Sequence, residues 1–157
     1  EREHLLGKEE HISHGFWSDY ERLRKKITAI PILGVKEMLE GLVSKGKKIG
    51  IITNNTHSKT LEKLQCAGIN PALFNGNIYS CSENGCLKPS PGIISHKVLS
   101  SEGFIYVGDD IIDYGFARNS GADFYGVCTG ECKEEAFIKS GLNKDRIFFS
   151  VMEIFQR

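Results

Sequence analysis

No stretch of this 157-residue chain approaches the ~20 consecutive apolar residues that a membrane span needs. Nor is there a basic segment followed by an apolar one, so no secretory leader is visible. Net charge is also missing, because twenty Lys and Arg balance twenty Asp and Glu. Bulk charge therefore points to no nucleic-acid and no membrane surface. Prolines number only four, and no internal repeat or low-complexity tract interrupts the chain. Cysteine is present, but in an odd set: Cys66, Cys81, Cys86, Cys128 and Cys132. That count argues against a secreted disulfide framework and for a reduced, cytoplasmic setting. Cys81/Cys86 and Cys128/Cys132 are spaced more loosely than the pairs of structural zinc sites, so small buried hydrophobes are the expected role. What remains is 40% hydrophobic and 25% charged, enough for one globular domain with a sizeable core. The chain opens on Glu1, which is read as loss of an upstream segment through processing, cloning or choice of a fragment.

Elements alternate along the chain. Residues 1 to 27 are polar, with Phe16, Trp17, Tyr20, Leu23 and Ile27 spaced to form one helical face. Pro31 and Gly34 punctuate, and Val35 to Lys45 reads as an amphipathic helix closed by Gly46. Lys48 to Thr53 is a strand, apolar on both faces as buried parallel strands are. A helix from Ser58 to Cys66 and a short strand from Asn77 to Ser80 follow. Pro91 to Ser101 reads as a helix with proline near its first turn. Then come a strand (Phe104 to Val107), a helix (Asp110 to Asn119), a strand (Phe124 to Cys128), a helix (Lys133 to Lys139) and a last strand (Ile147 to Val151). This alternation predicts an α/β fold, a mostly parallel sheet with helices on both faces.

Three features fall where open α/β sheets bind ligands, at the carboxyl ends of strands. The run Phe104-Ile105-Tyr106-Val107 stops at Gly108 and delivers Asp109, Asp110 and Asp113. Asp109 at the strand tip and Asp113 one helical turn later can face one hard cation. The plainer reading is an acidic helix start favoured by the helix dipole. Ile52-Thr53-Asn54-Asn55 places a hydroxyl and amides at a strand end, where they suit an anion or simply cap the next helix. Leu87-Lys88-Pro89-Ser90-Pro91 presents a lysine from a loop stiffened by two prolines, suited to neutralising a phosphate or merely a surface lysine in a turn.

In this order the three features resemble the haloacid dehalogenase superfamily of hydrolases, most of all the phosphoglycolate-phosphatase-like branch. The resemblance covers about residues 30 to 155. It matches Thr53 to the second motif, Lys88 to the third, and Asp109 with Asp113 to the fourth. It implies a Rossmann-like core domain over residues 31–157 and a remnant of a helical cap over residues 1–30. It also implies that Thr53 and Asn54 bind phosphate, that Lys88 neutralises it, and that Asp109 and Asp113 serve Mg²⁺. Thr53 and Lys88 are then the catalytic residues. The implied substrate is a small phosphorylated metabolite.

One motif of that family is missing. No Asp-x-Asp occurs anywhere in the sequence. In the family it ends the first strand, its first aspartate being the nucleophile and its second the general acid/base. Asp19 lacks a preceding apolar strand, Asp123 precedes a strand, and Asp145 sits in a loop. The family's first strand lies between the strands read here at Lys48 to Thr53 and Phe104 to Val107. Its loss leaves backbone groups unpaired, at about 1–3 kcal/mol each when buried. The slot is expected to be filled, closed by direct pairing, or completed by a partner chain or segment. Three readings follow: the C-terminal part of a Mg²⁺-dependent phosphatase that is inactive alone, a nucleophile-less binding protein, or one half of a split enzyme.

Overall fold

The computed structural model describes residues 19, 30–81, 85–94 and 103–155. Apart from Asp19, the amphipathic pattern over residues 1–27 lies outside them, as does most of the helix expected from Pro91 to Ser101. The described part of that helix, Pro91–Ile93, is a single 3₁₀ turn capped by the Ser90 hydroxyl.

The architecture is α/β with parallel pairing throughout. Numbered over the described residues, the order is α1 (Val35–Ser44), β1 (Ile51–Thr53), α2 (His57–Cys66), β2 (Ile78–Ser80), β3 (Ile105–Gly108), α3 (Ile111–Ser120), β4 (Asp123–Val127), α4 (Glu134–Lys139), β5 (Ile147–Phe148) and α5 (Val151–Phe155). The strands form two sheets and not one. β1 pairs with β2, while β3, β4 and β5 pair in that order. Register is fixed by Ile51 opposite Ile78, Tyr106 opposite Phe124, and Val127 opposite Phe148.

Two clusters form the core: Ile52 of β1 and Tyr79 of β2 pack against the second, while their neighbours pack against the first. Leu64, Ile69, Phe74 and Ile78 fill the first. Phe116, Phe124 and Phe137 lie at the centre of the second, with Phe116 and Phe137 fully buried. Among the described residues no helix is long and apolar enough to cross a membrane. All five cysteines are free thiols.

Two expectations change. β1 is three residues long where Lys48 to Thr53 was expected, and all three are only half-buried. A parallel strand is shielded when both edges pair, and among the described residues β1 pairs on one edge alone. The expected strand Ile147 to Val151 ends at Phe148, because β4 runs out opposite it. Ser150 then turns the chain: its hydroxyl accepts from Met152 N at 3.2 Å and α5 begins.

Candidate active site

The site is built where β1 and β3 end. After β3 the chain enters α3 through a capping box: Asp110 accepts from within the first turn while Asp113 reaches back to the Asp110 N–H. Asp113 is 4% exposed. Its Oδ2 accepts from the N–H groups of Asp109 and Asp110 at 3.2 and 3.3 Å. Its Oδ1 accepts from Lys88 Nζ at 2.5 Å and from Tyr106 Oη at 2.8 Å. Four donors therefore fill the lone-pair directions of this one carboxylate. Gly108 is needed here for space: a Cβ at that position would overlap the Asp113 side chain.

Lys88 arrives on the proline-rich loop, and three contacts hold that loop. Asn54 grips the Lys88 main chain at both ends, Oδ1 accepting from its N–H at 2.7 Å and Nδ2 donating to its carbonyl at 3.4 Å. Asn119 of α3 donates to the Pro89 carbonyl at 2.9 Å. The amide of Asn54, read in the sequence as an anion ligand, is thus turned toward the lysine loop. Thr53 stands beside it at the end of β1. Its Oγ1 accepts from the backbone and side-chain N–H groups of Asn55, both at 3.1 Å. With those acceptor positions filled, the Thr53 hydroxyl keeps its proton for an outside acceptor.

Asp109 faces the other way, toward the loop after β4. Its Oδ2 accepts from Glu131 N at 3.2 Å, and its carbonyl accepts from Cys132 N at 3.0 Å. Gly130 lies so close to this carboxylate that any Cβ would collide with it. Among the described residues nothing donates to Asp109 Oδ1. Among the described residues no three His, Cys, Asp or Glu side chains gather to hold a metal. One open carboxylate oxygen fits Mg²⁺, which is bound through one or two carboxylates and keeps its waters and phosphate oxygens. It does not fit a metal that needs a closed protein cage.

Tyr106 was passed over in the sequence as strand core, and it ties the site together. Its hydroxyl receives a hydrogen bond from Lys88 Nζ at 3.2 Å and lies 3.4 Å from the Ile52 carbonyl of β1. One side chain thus bridges the two sheets. Burial raises its pKa far above the usual phenol range, and the charges of Asp113 and Asp109 add to that. The phenol stays protonated. A polar tip on an otherwise apolar strand was the available signal, since buried tyrosine hydroxyls seek partners. The role of Gly130 and Glu131 had none, because it runs through the backbone. Cys128 flanks the same loop, and burial, then Glu134 and Glu135, push its thiol pKa up. The surface hollow around Arg118, Asp123 and Arg146 lies at the other end of β4 and shares nothing with these residues.

A model of the haloacid dehalogenase-like hydrolases matches residues 4–127, and the chain belongs to that family. Solved structures carry the same fold. A protein named as a haloacid dehalogenase-like hydrolase from Bacteroides fragilis superposes with a TM-score of 0.73 at 23% identity, covering 89% of this chain and 68% of its own. A protein named as a phosphoglycolate phosphatase from Lactobacillus delbrueckii subsp. bulgaricus gives 0.68 at 24% identity, over 83% of this chain and 54% of its own. A family hydrolase from Deinococcus radiodurans, solved with bound phosphate and sodium, gives 0.68 at 21% identity, over 80% of this chain and 57% of its own. The chain thus spans little more than half the length of the last two. No curated protein matches it.

Proposed function

We propose that this chain carries the phosphate-binding and metal-binding half of a Mg²⁺-dependent phosphatase acting on a small phosphorylated metabolite. The observation that supports it best is the joining of Lys88, Asp113 and Asp109 at the strand ends, with Thr53 reached through Asn54. Hydrolysis of a phosphoester needs charge on the transferring phosphoryl group to be offset. Lys88 supplies a fixed positive charge held on a stiff loop. Thr53 donates its hydroxyl to a phosphate oxygen. Asp109 Oδ1 would hold Mg²⁺, and Asp113 orients the turn that carries Asp109. Bound there, Mg²⁺ would supply Lewis-acid stabilisation of the phosphoryl oxygens.

The covalent step requires a carboxylate nucleophile, and no Asp-x-Asp stands in these 157 residues. The parting of the strands into two sheets, with β1 half-buried, favours a further reading. An extended apolar segment ending in Asp-x-Asp completes the site between β1 and β3, supplied by a longer form of this polypeptide or by another chain. A phosphatase assay with p-nitrophenyl phosphate and Mg²⁺ tests this. The isolated chain should show no turnover, and adding such a segment should restore it. Activity in the isolated chain that is lost on Asp19→Asn would place the nucleophile in the N-terminal segment instead. Continued inactivity in the presence of a bound segment would favour the nucleophile-less binding protein.

A further inference from the structure

We propose that Tyr106 is a positioning residue, whose hydroxyl fixes the Lys88 ammonium so that one N–H faces an arriving phosphate-type anion. The inference rests on the reading of the site given above and extends it to a residue outside the three motifs.

An ammonium carries three donors at the end of a flexible stem and turns freely about its last bond. Lys88 Nζ gives one proton to Asp113 Oδ1 at 2.5 Å and one to Tyr106 Oη at 3.2 Å. Two fixed directions on a tetrahedral nitrogen determine the third. No other partner takes that third N–H among the described residues. The lysine side chain is 14% exposed, so the remaining proton has a narrow outlook to solvent.

The phenol suits this task because of its own proton balance. It has one hydrogen and two lone pairs. The hydrogen has two candidate acceptors, Asp113 Oδ1 at 2.8 Å and the Ile52 carbonyl at 3.4 Å. The shorter, charged acceptor wins, since charge-assisted bonds are about twice as strong as neutral ones. With its hydrogen committed to Asp113, the oxygen can only accept from Lys88. The ring cannot swing away. It is 9% exposed, edge-on to Phe116 at 5.0 Å and beside Phe124 at 6.1 Å. The core thus sets the ring, the ring sets the hydroxyl, and the hydroxyl sets the ammonium. Without it, Lys88 pivots about a single bond to Asp113 and its free proton loses direction.

Inorganic phosphate is the probe, its binding to the full chain followed by titration calorimetry. Tyr106→Phe should raise the phosphate Kd about 3–10-fold, the value of one ordinary hydrogen bond, with circular dichroism unchanged. Lys88→Met should weaken binding further, and adding Tyr106→Phe to it should cost nothing more, which is the coupling expected if the phenol acts through the lysine. In the unmodified chain the ¹³Cζ resonance of Tyr106 should shift on adding phosphate. Normal phosphate binding by Tyr106→Phe, alongside weak binding by Lys88→Met, overturns the inference and leaves the reading of the site intact. So does a Tyr106→Phe loss that persists in the Lys88→Met background. Phosphate binding that ignores Lys88→Met, or none in the unmodified chain, overturns the reading of the site and the inference with it. Should Tyr106→Phe fail to fold, an unresponsive Tyr106 resonance overturns the inference and a shifting one supports it.

Discussion

Asp113→Asn keeps the size of a side chain and removes its charge from the meeting point of four donors. Both partners of the ion pair are shielded, at 14% and 6% side-chain exposure for Lys88 and Asp113. Breaking a buried pair by removing one partner costs about 3–5 kcal/mol, because a charge is left behind without its counter-ion. The damage should be lopsided. After Lys88→Met, Asp113 still accepts from Tyr106 and from two backbone N–H groups, so the expected loss is about 1–3 kcal/mol. After Asp113→Asn, Lys88 keeps the Tyr106 oxygen but no counter-ion, and a single neutral amide oxygen can serve either Lys88 or the two N–H groups of the turn, not both. The double variant Lys88→Met/Asp113→Asn leaves no buried charge and should be more stable than Asp113→Asn alone. Urea denaturation with a shared m-value measures all three. For a chain of this size each 1 kcal/mol moves Tm by about 2–4 °C, so Asp113→Asn should lower it by roughly 6–20 °C. Equal losses for the two single variants, or a double variant no better than Asp113→Asn, would refute the reasoning that an orphaned charge carries the cost.

Gly108→Ala drives a methyl into the Asp113 side chain and should destabilise by about 1–3 kcal/mol through overpacking, read by the same denaturation assay. Gly130→Ala meets an even closer obstacle in the Asp109 side chain, so it should also destabilise by about 1–3 kcal/mol and displace that carboxylate, weakening Mg²⁺ binding in calorimetry; unchanged Mg²⁺ affinity would separate Asp109 from the metal. The raised pKa of Tyr106 also has a consequence in alkali. Its folded form holds the proton more tightly than the unfolded chain does, so its contribution is complete below pH ~10 and is lost as pH rises beyond that. Thermal melts from pH 9 to 11.5 should show a fall in stability that Tyr106→Phe makes shallower.

The β3–α3 turn was legible because several signals agreed there. An aromatic, β-branched run, a glycine and clustered aspartates all marked a strand ending in a helix start. Of the two readings offered for those aspartates the structure carries the helix start, since Asp110 caps the helix and Asp113 closes the capping box while pairing with Lys88. Gly108 has an ordinary φ, and its value is the room it leaves. The end of the chain misled for a physical reason. Ile147-Phe148-Phe149 has strand composition, but a strand lasts only as long as its neighbour offers pairing, and β4 stops opposite Phe148. Ser150-Val151-Met152-Glu153 carried the helix-start signature that outweighed it. The convergence of Lys88 on Asp113 across 25 positions was legible only through the family resemblance, because no local pattern encodes it. The division of the described strands into two sheets had no local signal, since the alternation of strands and helices reads the same for one sheet or two. The tyrosine that spans the division had only its lone hydroxyl as a clue.

The β1–β2 pair has a small core of its own and, among the described residues, leans on the larger one only through Ile52 and Tyr79. With that small core and, among the described residues, a strand paired on one edge, the amides of the β1–β2 half should exchange with solvent well before those of β3 and β4. Lys88 lies on the joint between the halves, held by Asn54 of the first and paired with Asp113 of the second. An anion clasped at that joint would have to be released before either half could open alone. Its binding would then be felt far from the site, as slowed exchange along β1 and β2, the strands of the looser half.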